Sequence, residues 1–137
     1  MKPAPMLRSV HHINFLVRDL EQAVRQWQAQ LGVGPFRYDA LEGRAVRTAR
    51  IQVGETWIVL VQPVAEGEPM RILREQGEGL FLLSFGVEDL EEATAHVHEG
   101  GGELTSAEAR QGLDGWRVID VDPRYLSGGQ VQLCKDS

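Results

Sequence analysis

The stretch Val17-Arg18-Asp19-Leu20-Glu21-Gln22-Ala23 recurs seventy residues later as Val87-Glu88-Asp89-Leu90-Glu91-Glu92-Ala93. Each copy places an Asp before a Leu, with Gln or Glu three residues on. That is the pattern of a helix N-cap and its capping partner. In a chain of 137 residues a repeat at about half the length predicts two copies of one supersecondary unit.

Upstream of the first copy, residues 10–17 alternate. Ile13, Phe15 and Val17 share one face, and His12, Asn14 and Leu16 share the other, as in a half-buried strand. Downstream, Leu20, Ala23, Val24, Trp27 and Leu31 fall at helical spacing, and Gly32 ends the run. Extended segments follow near residues 36–41, 46–53 and 56–62, the last two joined by a tight turn at Gly54-Glu55. The unit reads βαβββ. The second copy repeats the order. A strand over 81–87 sets Phe81, Leu83, Phe85 and Val87 against Leu82, Ser84 and Gly86. A helix carries Leu90, Ala93 and Val97 and stops at Gly100-Gly101-Gly102. Extended segments are expected near 103–107, 116–122 and 130–134. A linker over 64–79 contains a short helix at 70–76, started by Pro69 in its first turn. The expectation is therefore one α+β domain over residues 1–137. A βαβββ module spans 9–63, a linker 64–79 and a second module 80–136, with curved mixed sheets around a cleft.

Composition narrows the partners. Apolar residues at 42% and charged residues at 25% are ordinary for a globular protein. A net charge of −6 argues against nucleic acid and anionic membrane surfaces as partners; a small organic molecule is expected only from the cleft and the resemblance described below. The one cysteine, Cys134, has no intramolecular partner, which fits a reducing cytoplasm. Met1–Met6 lacks an apolar leader core, and no run approaches membrane-spanning length.

If the helices cover one face of each sheet, alternation assigns the other face to the cleft. That face carries His12, Asn14 and Leu16; Trp57, Val59 and Val61; Leu82, Ser84 and Gly86; Trp116, Val118 and Asp120; Gln130, Gln132 and Cys134. His12 is a candidate general acid or base, because imidazole titrates near working pH. The alternative is a histidine hydrogen-bonded to a neighbour such as Gln132. Asp120 is a candidate for proton abstraction, against a surface carboxylate. Tyr38, Arg47 and Arg50 lie on strands that would rim the cleft and hold an anionic or enolate oxygen, unless they are solvated edge residues. Trp57 and Trp116 occupy corresponding places in the two modules and would sandwich a flat ligand, or act as core aromatics. His11, of opposite parity to His12, is expected to be structural, and His96 and His98 to lie on a helix surface.

The residues His12-Ile13, Phe15, Val17, Asp19-Leu20-Glu21 and Ala23, followed by Leu31-Gly32, form a pattern that resembles the vicinal oxygen chelate superfamily. That superfamily includes glyoxalases, extradiol dioxygenases and bleomycin-resistance proteins. Its methylmalonyl-CoA epimerase-like members are the most similar. Val61-Gln62-Pro63, Arg74-Glu75-Gln76-Gly77-Glu78-Gly79-Leu80 and Gly128-Gly129 before Gln132-Leu133-Cys134 extend the likeness over most of the chain. The resemblance implies a divalent metal held by two His and two Gln or Glu, with open positions for substrate oxygens. Carried onto this sequence, those positions are His12, Val59, Leu82 and Gln132. Two of the four have no donor atom, and the neighbours Ile58, Leu60, Phe81 and Leu83 supply none. No metal and no cofactor are therefore expected. The function expected is acid–base chemistry on a small carbonyl-containing or aromatic molecule, of isomerase, lyase or cyclase type. The alternatives are a non-catalytic binding and sequestering protein and an epimerase-like isomerase. The resemblance also implies a homodimer.

Overall fold

The N-terminal halves of both repeats fold as their caps predict. The computed structural model describes residues 6–136, so most of the segment in which no leader was found lies outside the described residues. The elements are β1 (Ser9–Leu16), α1 (Leu20–Leu31), β2 (Arg37–Leu41), β3 (Val46–Val53), β4 (Thr56–Pro63), α2 (Glu68–Gln76), β5 (Gly79–Gly86), α3 (Leu90–Glu99), β6 (Arg110–Gln111), β7 (Arg117–Asp120) and β8 (Val131–Lys135). This is the expected α+β arrangement of two βαβββ modules. The chain divides into two compact units, one of residues 12–81 and one of residues 82–136 together with 6–11.

In the first unit the strands run β2-β3-β4-β1. β1 is parallel to β4, and the other pairs are antiparallel. The Asp19 side chain accepts from the Gln22 backbone N–H at 3.1 Å. Gln62 Oε1 accepts from the Leu20 N–H at 2.9 Å, so two of the orphan donors at the helix start are satisfied. Gly32 closes the helix at φ 66°, a left-handed position glycine adopts without steric cost. Leu20, Ala23 and Val24 bury against Phe36, Ala49 and Leu60, and Phe15 meets Trp27 edge-on at 5.1 Å. Each fully buried leucine contributes about 1.5–3 kcal/mol. Leu31 departs from expectation: it is 61% exposed, because the buried contacts of α1 are confined to its first two turns.

In the second unit the order is β5-β8-β7-β6, again with the first strand of the module parallel to the last. Asp89 accepts from the Glu92 N–H at 3.1 Å, and Ala93 sits fully buried with Val87, Ile119, Val121 and Leu133. At the glycine stop, a Cβ on Gly102 would lie 2.8 Å from Val97 Cγ1, so any larger residue there would have to push the Val97 side chain aside. The strand expected over 103–107 does not form. A single bridge joins Leu104 to Val121, and β6 lies further on. Thr105 keeps one ladder-type bond, its N–H to the Asp120 carbonyl at 3.0 Å, while Ser106 turns its hydroxyl onto the Glu108 carbonyl two residues on, a local bond that competes with a strand ladder. Among the described residues no helix is long and apolar enough to cross a membrane.

The two caps give a direct test. Asp19→Ala and Asp89→Ala should each lower the unfolding free energy by about 1 kcal/mol in urea denaturation, and wild-type midpoints for both would show that the caps do not hold the helices.

Candidate functional site

Alternation along the strands gives each unit one helix-covered face and one opposite face. In the first unit, cross-strand register places Trp57 between His12 and Gln52, and Val59 between Asn14 and Arg50. Ala49, Leu60 and Phe15 take the helix side. His12 is 4% exposed and Val59 1%. Arg50 is the largest side chain wholly removed from solvent. Its guanidinium carbon lies 4.6 Å from the centroid of the Trp57 ring, a cation–π contact that strengthens with desolvation. Its Nε stands 3.9 Å from Asp39 Oδ2, which is also 3.6 Å from Arg37 Nε. Asn14 Oδ1 is buried and accepts no hydrogen bond among the described residues.

Tyr38 and Arg47 stand elsewhere. They pair with Ala49 and with Ala40 respectively, which puts both on the face that α1 covers. Arg47 donates to Glu21 Oε1 of α1 at 2.5 Å, and this bond holds the Glu21 carboxyl below the usual carboxylate range. The expectation that these two residues rim the opposite face is corrected by this register. Arg50, three residues from Arg47, has the other parity, and it is buried rather than solvated.

In the second unit the opposite face carries a continuous polar chain. Arg110 Nη1 donates to Asp120 Oδ2 at 2.6 Å, Gln132 Nε2 donates to Asp120 Oδ1 at 3.2 Å, and Ser84 Oγ donates to Gln132 Oε1 at 2.9 Å. Ser84 and Gln132 are buried, and Asp120 is half-buried. Leu82, Trp116, Val118 and Cys134 fill the rest of this face and are buried. Gln130 lies just before β8, is exposed, and contributes its carbonyl to the Leu83 N–H at 3.0 Å. Trp116 meets His11 edge-on at 4.6 Å, and His11 Nε2 lies 2.7 Å from Asp136 Oδ1. His11 is thus a buried, packed residue, and His96 and His98 are exposed on α3.

Of the nominated residues, the fold brings together Ser84, Gln132 and Asp120 in one unit, and His12, Asn14, Trp57 and Val59 on one face of the other. Sequence reading did not single out Arg110, which falls in a segment without alternation. It also gave no sign that Arg50 would be buried. The donor set does not fit a four-ligand divalent metal centre at the positions implied by the resemblance. Val59 and Leu82 have no lone pair to offer, and the Gln132 amide is engaged at both ends.

Comparison with known proteins places these features in a family. Residues 11–119 match the model of the Glyoxalase/Bleomycin resistance protein/Dioxygenase superfamily. The uncharacterized protein YqjC of Bacillus subtilis is 25% identical over 130 residues, covering 94% of this chain and 93% of its own length. An ethylmalonyl-CoA/methylmalonyl-CoA epimerase of Cereibacter sphaeroides is 28% identical over 131 residues, covering 93% of this chain and 98% of its own. The crystal structure of methylmalonyl-CoA epimerase from Mycobacterium tuberculosis superposes with a TM-score of 0.92 at 22% identity, over all of this chain and 93% of that one. At that identity the likeness establishes a shared fold.

Burial, reinforced by the negative charge of Asp136, pushes the Cys134 thiol up to about 12 from an ordinary 9.0. The folded state therefore holds the proton more tightly than the unfolded chain. The stability this brings is complete below about 9 and is lost as pH rises from there toward about 12. Native protein should resist a water-soluble thiol reagent at pH 8, its stability should fall through the alkaline window, and Cys134→Ala should flatten that fall. Rapid labelling of the native protein at pH 8 would contradict the burial of the thiol.

Proposed function

The chain belongs to the Glyoxalase/Bleomycin resistance protein/Dioxygenase superfamily, and from that premise we propose an acid–base isomerase acting on a small carbonyl-containing molecule. On this reading His12 carries the proton transfer and no four-ligand metal centre takes part. The observation that carries it is a buried imidazole at His12 on the same sheet face as the hydrocarbon side chain of Val59. The donor expected first on β1 is kept, while two of its expected companions are hydrocarbon. An imidazole titrates near neutrality and can take up and return a proton without a metal.

Asp120, the other nominated acid–base group, has both oxygens engaged. It would have to release one to act as a base, so the proton transfer is assigned to His12. The nearly full-length likeness to a protein named as an ethylmalonyl-CoA/methylmalonyl-CoA epimerase supports isomerisation. It also makes a malonyl-type acyl thioester the first substrate class to try. Such a reaction removes and returns the proton α to a carbonyl, and hydrogen-bond donors must stabilise the enolate formed between. Asn14 and Trp57 in one unit, and Ser84 and Gln132 in the other, are the residues this reading assigns to binding. The reading includes a homodimer, as superfamily membership suggests, and a cytoplasmic protein, supported by the single buried thiol.

A second reading, sequestration of an organic molecule without turnover, is favoured by the same hydrocarbon side chains together with the buried Trp116. The two separate in one experiment. Methylmalonyl-CoA is incubated with the protein in deuterated water, and loss of its α-proton signal is followed by NMR, with and without EDTA. The expected result is exchange that survives EDTA, with His12→Ala lowering kcat on the order of 10²–10⁴-fold at little change in KM. Exchange abolished by EDTA would overturn the metal-free reading. Binding without exchange, weakened by Trp57→Ala and indifferent to His12→Ala, would establish sequestration.

A further inference from the structure

We propose that Asp120 is a positioning residue. Pinned by Arg110, its charge sets the direction of a hydrogen-bond chain through Gln132 to Ser84, and so fixes Gln132 as a donor toward whatever approaches that face. The inference deepens the function proposed above and rests on it only in taking this sheet face as the one that meets the ligand.

The direction follows from donor and acceptor inventories. Arg110 stays protonated at any working pH and offers only donors, while an ionised carboxylate only accepts. With Arg110 on Oδ2 at 2.6 Å, the group 3.2 Å from Oδ1 must be the amide nitrogen of Gln132. The amide oxygen is thereby turned toward Ser84. The serine hydroxyl has one proton, and it is committed to that oxygen at 2.9 Å.

Ser84 is fully buried and Gln132 nearly so. Bonds in such a chain polarise one another in a low dielectric, and those at the charged end are roughly twice as strong as neutral ones. The charge at Asp120 thus dictates which end of the Gln132 amide points where, and hence what the second N–H of that amide can serve. A ligand oxygen, as in a carbonyl, enolate or carboxylate, would be accepted there. A ligand donor would leave buried groups unpaired and be rejected. A neutral side chain at 120 would leave the amide free to turn over.

In the full-length protein labelled with ¹⁵N, one Gln132 side-chain N–H should be shifted downfield and slow to exchange. In Asp120→Asn that signal should move to the position of an ordinary amide and exchange fast, and in Arg110→Lys, which keeps the positive partner, it should hold the wild-type position. A Gln132 signal unmoved by Asp120→Asn would overturn the proposal. If Asp120→Asn does not fold, an ordinary, fast-exchanging Gln132 amide in the wild type would do the same. These readouts need no substrate. Failure of the isomerase assay would count against the functional reading and leave the chain to be judged by the spectra.

Discussion

Leu20, Ala23 and Val24 of α1 seat on Ala49 and Leu60, and that contact fixes the pleat of two neighbouring strands at once. Side chains along a strand alternate strictly, so once Ala49 points at the helix, Thr48 and Arg50 must point away from it. Ala93 against Ile119 and Leu133 does the same for the second unit, turning Val118, Asp120, Gln132 and Cys134 to the opposite face. The placement of the polar side chains on both opposite faces depends on these two apolar contacts. A slip of one residue in either would exchange the two faces entirely.

The two units use their opposite faces differently. The first buries a permanent cation, Arg50, against the face of Trp57 and near Asp39. Removing a guanidinium from water costs several kcal/mol unless ring and carboxylate replace part of its hydration. The second distributes its polarity along a chain in which each group has one role, from Arg110 at the half-exposed end to the buried Ser84. Against the ligand pattern implied by the superfamily, hydrocarbon at Val59 and Leu82 removes donors from both faces. The scaffold contacts beneath them, Leu60 and Phe85 among these, keep the apolar character that strand packing requires.

Much of this was legible locally. The caps at Asp19 and Asp89, the stops at Gly32 and Gly100-Gly101-Gly102, and the strand parity of Trp116, Val118 and Asp120 all rest on interactions within a few residues in sequence. The misreadings came where local bonding or tertiary contacts overrode the pattern. The segment 103–107 has strand-like composition, yet it meets the sheet through the Leu104–Val121 bridge before Ser106 turns its hydroxyl onto the Glu108 carbonyl. Leu31 continues the helical stripe of α1 beyond its buried turns. Arg47 is drawn to Glu21, twenty-six residues away in sequence, on a face that a list of strand residues does not identify.

The sequence by itself determined the two-module α+β architecture, the capped starts of α1 and α3 and the alternation along β1 and β5, because capping and alternation are short-range and repeat with the chain's own period. It also determined that Val59 and Leu82 carry no metal-ligating atom, since that is a matter of side-chain chemistry. Only the tertiary structure decided that Arg50 is buried over Trp57, that Arg47 belongs to the helix side, and that Asp120 is tied to Arg110 and Gln132. Those outcomes depend on cross-strand register and on bonds between segments far apart in sequence. Which partner a charged side chain meets, and how much water it keeps, is settled only when the strands are laid side by side.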